Sequence, residues 1–155
     1  MGIEEVHSHR IIHMDIKPEN FVFVNGTLKL IDLGLSLCLP EGVDHLETEV
    51  VYGTNLFMAP ECFTSRLAPR EGGVKPRYIT TLTLQADIWS LGVLLLQMLP
   101  VKGDRPPPNM PIDYIRNKLL WEEEKLSGIP DVLKLCLQKD PGNRPNVAGL
   151  RNALF

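Results

Sequence analysis

The stretch from Asp15 to Asp32 constrains this chain more than any other. Phe21-Val22-Phe23-Val24 and Thr27-Leu28-Lys29-Leu30-Ile31 are two short β-prone runs separated by Asn25-Gly26. That dipeptide favours a type I′ turn, in which both central residues take positive φ, so the stretch is predicted to be a tight hairpin. A two-residue turn sets its own register, and residue 20 at the start of one strand is then brought close to residue 32 at the end of the other. The segment HMDIKPEN at 13–20 places Asp15, Lys17 and Asn20 just ahead of the hairpin, and Asp32 returns at its far end. Asp32 and the Asn20 side-chain oxygen are hard ligands suited to Mg2+, Lys17 is a cation for phosphate oxygens, and Asp15 is a carboxylate able to accept a hydroxyl proton. Taken singly, each has a plainer reading, the Asp as a loop cap and the Lys as a solvated charge. Together at these offsets they read as a phosphoryl-transfer constellation.

The rest of the chain reads as mostly helical. From Leu84 to Leu99 nearly every position except Gln85, Asp87, Ser90 and Gln97 is apolar or small, which predicts a helix buried on most of its circumference and central to the core. The opening GIEEVHSHRII has Ile3, Val6 and the Ile11-Ile12 pair near helical spacing, and reads as the last turns of an amphipathic helix with no capping residue at its start. Further helices are predicted at 112–125, 130–138 and 146–154, separated by Ser127-Gly128 and by DPGNRP, with Pro106 to Pro108 ahead of them. Residues 32–61 hold no sustained period and read as a long ordered or switchable segment. Residues 64–81, with Arg66, Arg70, Lys75 and Arg77 around Gly72-Gly73, read as a solvated basic loop. The predicted fold class is α+β, predominantly α-helical, with one short β-hairpin at the site.

Composition removes several classes of function. Sixteen Lys and Arg against nineteen Asp and Glu give a net charge of −3 over 155 residues, the opposite of the basic excess that a nucleic-acid partner needs. The longest apolar run, around Leu91 to Val101, is broken by Gly92, Gln97 and Pro100 and falls short of the roughly 20 residues that span a bilayer. No membrane association is expected. Cys38, Cys62 and Cys136 lack the paired spacing of a zinc or redox motif and read as buried or idle thiols of a reducing compartment, the cytoplasm or nucleus. His7, His9 and His13 fall on different faces with no nearby Cys, which argues against zinc.

Five segments together resemble the eukaryotic protein kinases: HMDIKPEN at 13–20, DLG at 32–34, GTNLFMAPE at 53–61, DIWSLGV at 87–93 and CLQKDPGNRP at 136–145. The resemblance implies a protein kinase-like C-terminal lobe over residues 1–155, which uses ATP and Mg2+ and acts on the Ser or Thr hydroxyls of a protein substrate. It implies that Asp15 is the catalytic base, that Lys17 neutralises the transferred phosphoryl group, and that Asn20 and Asp32 hold magnesium. Val22 would lie on the floor of the nucleotide site, and Thr54 would steady Asp15 and Lys17. Glu61 and Arg144 would form a buried ion pair that anchors the activation segment, and Asp87 would brace the catalytic loop around His13. Within the family, the chain is most similar to the monopolar spindle (TTK-type) dual-specificity kinases, which share the NG-x-LKLID hairpin and a basic insertion before the DVWSLG-like helix.

Three departures carry information. Met14 stands where many kinases have the Arg that pairs with a phosphorylated activation segment. Thr48 is a candidate phosphosite, but Glu47 and Glu49 flank it, so a phosphate there would need a distant basic partner. Leu33 replaces the usual Phe, a size-tolerant apolar swap, and is expected to pack against His13. Upstream of Met1 the sequence supplies none of the Gly-rich loop, strand Lys or helix Glu of the N-terminal ATP-binding lobe. This lobe is expected to be encoded further upstream, and the 155 residues alone are expected to transfer phosphate barely. The alternative is a non-catalytic binding or decoy module that keeps the docking surface without turnover.

Overall fold

The structure, a computed structural model, describes residues 2–70, 75–98 and 130–154. At its centre lies a 14-residue helix, Gln85–Met98 (α2), which buries Ile88, Trp89, Val93, Leu94 and Leu96 together with Asp87 and Ser90. An element that is apolar nearly all round is stable only when other elements cover it, and three shorter helices help to do so. They are α1 (Ile3–Ser8), α3 (Asp131–Cys136) and α4 (Val147–Leu154). The core gathers Val6 of α1, Leu133 and Cys136 of α3 and Leu150 of α4 around α2, with Ile12, Ile16 and Leu82 from the intervening chain.

Gly92 shows how closely α2 and α3 approach. A Cβ at this position would sit 2.7 Å from Cβ of Cys136 and 3.1 Å from Cδ2 of Leu137. Gly92→Ala is therefore expected to cost about 1–3 kcal/mol through overpacking, measured as a lower melting temperature. An unchanged melt would mean that the two helices have room for the methyl group.

The predicted hairpin is present as β2 (Phe21–Val24) and β3 (Thr27–Leu30), paired from Phe21 opposite Leu30 to Val24 opposite Thr27. Asn25 at φ 51° and Gly26 at φ 76° give the two positive values that a type I′ turn requires. Helices at 130–138 and 146–154 appear as α3 and α4, and the buried 84–99 helix as α2. Leu99, Gly72-Gly73, Pro106 to Pro108 and the helix predicted at 112–125 lie outside the described residues.

Two sequence expectations are corrected. Ile11-Ile12 does not continue α1 but forms β1 (Ile11–Ile12), antiparallel to β4 (Leu37–Cys38). The reason is local: Arg10 at φ 59° leaves the helical conformation, and the β-branched pair that follows favours an extended backbone. The basic stretch 64–81 is not simply a loop. It contains β6 (Arg66–Ala68) and β7 (Arg77–Leu82), which join β5 (Leu46–Thr48) in a three-stranded antiparallel sheet of order β5-β7-β6. The β-branched and aromatic run Tyr78-Ile79-Thr80-Thr81 drives this pairing, and burial of Ile79, Thr80 and Leu82 holds it. Five strands thus stand beyond the one predicted hairpin among the described residues, and the α+β class holds.

Candidate active site

Strand β1 delivers the chain to residues 13–17, whose backbone is fixed from below by α2. Asp87, fully buried in the first turn of that helix, accepts the His13 amide at 2.7 Å and the Met14 amide at 2.9 Å. Met14 takes φ 68°, a left-handed conformation that costs an L-residue free energy and persists only where its surroundings impose it. The bond from the Met14 amide to Asp87 supplies that constraint, with the His13 bond beside it. His13 ties this loop to the end of the hairpin. Its Nδ1 accepts the Asp15 amide at 3.3 Å, which leaves Nε2–H to donate to the Ile31 carbonyl at 3.1 Å. Ile31 in turn donates its amide to the Asn20 carbonyl at 2.9 Å, so the segments before and after the hairpin are bonded directly.

Asp15 is the hub of the site and is buried to 7% exposure. Its Oδ1 accepts the Thr54 hydroxyl at 2.6 Å, and its Oδ2 pairs with Lys17 Nζ at 2.6 Å and accepts Asn20 Nδ2 at 3.1 Å. Lys17 also donates to Thr54 Oγ1 at 3.1 Å, and Asn20 donates to the Asp15 carbonyl at 2.7 Å. Burial pushes the Asp15 carboxyl up, but hydrogen bonds from Lys17, Thr54 and Asn20 outweigh it and hold the group below the ordinary carboxylate value. The Lys17 ammonium is raised, chiefly by its bond to Asp15, with a further contribution from the charge of Asp32. At neutral pH the site therefore holds an ionised carboxylate and an ionised ammonium.

Thr54 reaches Asp15 because the chain passes very close to Met14. Gly53 adopts φ 150°, and a Cβ there would lie 2.7 Å from the Met14 carbonyl oxygen, which only glycine tolerates. Further along the same segment, Ser90 of α2 donates its hydroxyl to the Phe57 carbonyl at 2.7 Å.

Asp32 lies beside this cluster rather than in it. It is exposed, takes φ 65°, and accepts the Gly34 amide on Oδ1 at 2.9 Å. No group of three His, Cys, Asp or Glu able to hold a metal occurs among the described residues. The oxygen donors on offer are Asp32 and the Asn20 amide oxygen, whose nitrogen is committed to Asp15. That hard, sparse set fits Mg2+, which keeps waters and shares its coordination with phosphate oxygens. Val22 is half-buried on β2, opposite Lys29 on β3. Leu33 packs partly buried against the core, while His13 directs its ring to Ile31.

The segment ends at a buried ion pair. Arg144 is bidentate to Glu61, Nη1 to Oε1 at 2.6 Å and Nη2 to Oε2 at 2.7 Å. Its remaining three N–H donors reach the carbonyls of Gln138, Gln85 and Lys139 at 2.8, 2.9 and 3.1 Å. The guanidinium also lies 5.2 Å from the centroid of the Trp89 ring. Thr48 sits on β5 opposite Thr80, where its hydroxyl donates to the Val50 carbonyl at 2.8 Å.

Two contributors escaped the sequence reading. His7 of α1 donates through Nε2 to Asp87 at 2.9 Å, giving that carboxylate a third partner. A lone histidine on a short helix carries no signal of this; only the pairing with a distant buried Asp reveals it. Ser90 was legible in principle, since a hydroxyl in an otherwise apolar buried helix must find an acceptor.

Comparison with known proteins gives this geometry its context. The protein kinase domain family matches residues 1–155. A serine/threonine-protein kinase MPS1 of Encephalitozoon cuniculi is 34% identical over 99% of this chain and 25% of its own length. The serine/threonine-protein kinase mph1 of Schizosaccharomyces pombe is 30% identical over 96% of the chain and 25% of its own length. The dual specificity protein kinase TTK of Mus musculus is 30% identical over 96% of the chain and 18% of its own length. The chain thus spans a quarter or less of these relatives.

Proposed function

Because this chain belongs to the protein kinase family, we propose that it forms the C-terminal lobe of a serine/threonine protein kinase of the MPS1 and TTK type, with dual specificity within its reach. The reaction is transfer of the γ-phosphoryl group of ATP to a hydroxyl of a protein substrate. The observation that carries this reading is the Asp15 carboxylate, ionised and held by Lys17, Thr54 and Asn20 in one hydrogen-bonded set. Asp15 accepts the proton of the substrate hydroxyl, and Thr54 and Lys17 fix the direction from which that hydroxyl is met. Lys17 donates to an oxygen of the transferred group, where its positive charge offsets the charge that develops. Asn20 and Asp32 would hold Mg2+, which when bound would offset the negative charge of the phosphate groups. Glu61 and Arg144 hold the end of the segment that carries Thr54.

The lobe assignment draws support from the hairpin. Phe23 is 77% exposed, and Val24 and Leu28 are about half exposed, an apolar surface of the kind that meets another unit. In this reading that unit is the ATP-binding lobe, and Val22 faces the nucleotide. We extend the same reading to the cytoplasm or nucleus, on the cysteine usage described above.

The test is phosphoryl transfer from ATP to a generic protein substrate, by the 155-residue chain alone and fused behind the ATP-binding lobe of an MPS1-type relative. The chain alone is expected to transfer barely, and the fusion to transfer readily. Asp15→Asn and Asp32→Ala should return the fusion to background, while Thr48→Ala reduces it modestly at most. A folded, ATP-binding fusion without transfer overturns the reading and leaves the binding or decoy module as the better account, whereas transfer that survives Asp15→Asn overturns the role given to Asp15.

A further inference from the structure

Charge is distributed unevenly around Thr54. Between residues 32 and 61 the chain has acids but no Lys or Arg, and the following stretch supplies Arg66, Arg70 and Arg77. In the folded chain these two sets meet. Glu47 pairs with Arg66 at 2.5 Å, and Glu49 pairs with Arg70 at 3.0 Å and with Arg77 at 2.9 Å. The pairing follows from the sheet: Glu47 lies opposite Thr81 and Arg66 opposite Ile79, so both project from the same face of β7 on its two flanks. Thr48, between the two glutamates, lies opposite Thr80 and projects from the other face. Glu49 is the first residue beyond β5, five positions ahead of Thr54.

The usual source of such anchoring is absent from the loop beneath. Position 14 is a methionine, buried at 6% exposure, and the neighbouring cation Lys17 is engaged by Asp15 and Thr54. We propose that Glu47, Glu49, Arg66, Arg70 and Arg77 form a built-in electrostatic clasp, which pins residues 46–49 to the β6 and β7 strands and so sets the run into Thr54 without a phosphate on the segment. This inference rests on the kinase reading only in treating residues 32–61 as an activation segment.

Each pair is solvent-accessible, with side chains between 40% and 59% exposed, so one alone contributes little. Three pairs on one four-residue segment act together, and their attraction weakens as salt shortens the screening length. The Glu49 carboxyl is held below its ordinary range, first by the Arg77 hydrogen bond and then by the charges of Arg70 and Arg77, which agrees with this geometry. A phosphate on Thr48 would emerge on the face away from the arginines, so the clasp works through the Glu47 and Glu49 carboxylates.

Hydrogen–deuterium exchange of the peptide covering residues 44–52, measured on the 155-residue chain, tests the clasp without recourse to activity. Exchange in this peptide is expected to rise about fivefold to tenfold in the double variant Arg70→Glu with Arg77→Glu, in line with the loss of two exposed ion pairs that share one carboxylate and the new repulsion. Adding Glu49→Arg to that variant should restore protection, because the charges are exchanged rather than removed. Raising salt from 0.05 to 0.5 M should loosen the same peptide in the unmodified chain. Exchange that stays unchanged in the double variant, or that the added Glu49→Arg fails to rescue, or that ignores salt, overturns the clasp and assigns the sheet's order to backbone pairing alone. If the peptide behaves as expected while the fused enzyme transfers no phosphate, the clasp stands and the kinase reading falls.

Discussion

Arg144→Ala is expected to destabilise the chain by about 3–5 kcal/mol, the largest loss anticipated for any single substitution here. The Arg144 side chain is fully buried, and all five of its N–H donors are satisfied, two by Glu61 and three by backbone carbonyls. Truncation leaves the Glu61 carboxylate, itself largely buried, without its counter-charge, and leaves the carbonyls of Gln85, Gln138 and Lys139 without their shared donor. For a chain of this size the loss corresponds to a fall of roughly 10 °C in melting temperature. Arg144→Lys should fall between, since an ammonium offers three donors in place of five and cannot form the fork. A melting temperature that does not move in Arg144→Ala would show that the ion pair is exposed or absent in solution.

Asp87→Ala should cost about 2–5 kcal/mol through a different route. Removing its carboxylate strands the amides of His13 and Met14, and a buried donor without an acceptor costs about 1–3 kcal/mol. His7 loses its partner as well. The second effect is conformational: Met14 at φ 68° is held by one of those bonds, and without it the residue relaxes towards a negative φ and carries Asp15 with it. Urea unfolding reports the first effect. The second appears as a loss of transfer in the lobe-fused enzyme of at least the order seen for misplaced catalytic groups, about a hundredfold. Asp87→Asn, which keeps one carbonyl oxygen, should recover part of both. If Asp87→Ala unfolds at the same urea concentration as the unmodified chain, the two amides find other acceptors.

The site was legible in the sequence to an unequal degree. Asn25-Gly26 encodes its turn through the positive φ that both residues must adopt, so the hairpin and the approach of residues 20 and 32 could be derived from local chemistry alone. The buried helix was equally open to reading, because an apolar circumference has no other stable fate in water. Thr54 and the ion pair of Glu61 with Arg144 were reachable only through family resemblance, since contacts 39 and 83 residues apart leave no periodic trace. The β5, β6 and β7 strands were misread for a related reason. Arg66, Arg70 and Arg77 mark a solvated loop by composition, and nothing in the local sequence says that glutamates 19 to 28 residues earlier will pair with all three. His7 was hidden likewise, as its meaning depends on Asp87, 80 residues away.

The 83-residue separation of Glu61 and Arg144 also bears on how the chain can vary. The entropy of closing a loop grows only with the logarithm of its length, so doubling the excursion between these residues costs roughly 0.6 kcal/mol. That is small beside the pair that closes it. Surface connections between the two anchors can therefore lengthen or shorten at little loop-closure cost as long as the ends still meet and α2 keeps its place in the core. The connections around β6 and β7 lie within this interval, and α2 with Asp87 lies there too, so length can vary in the former while the helix that braces residues 13 and 14 must stay in place.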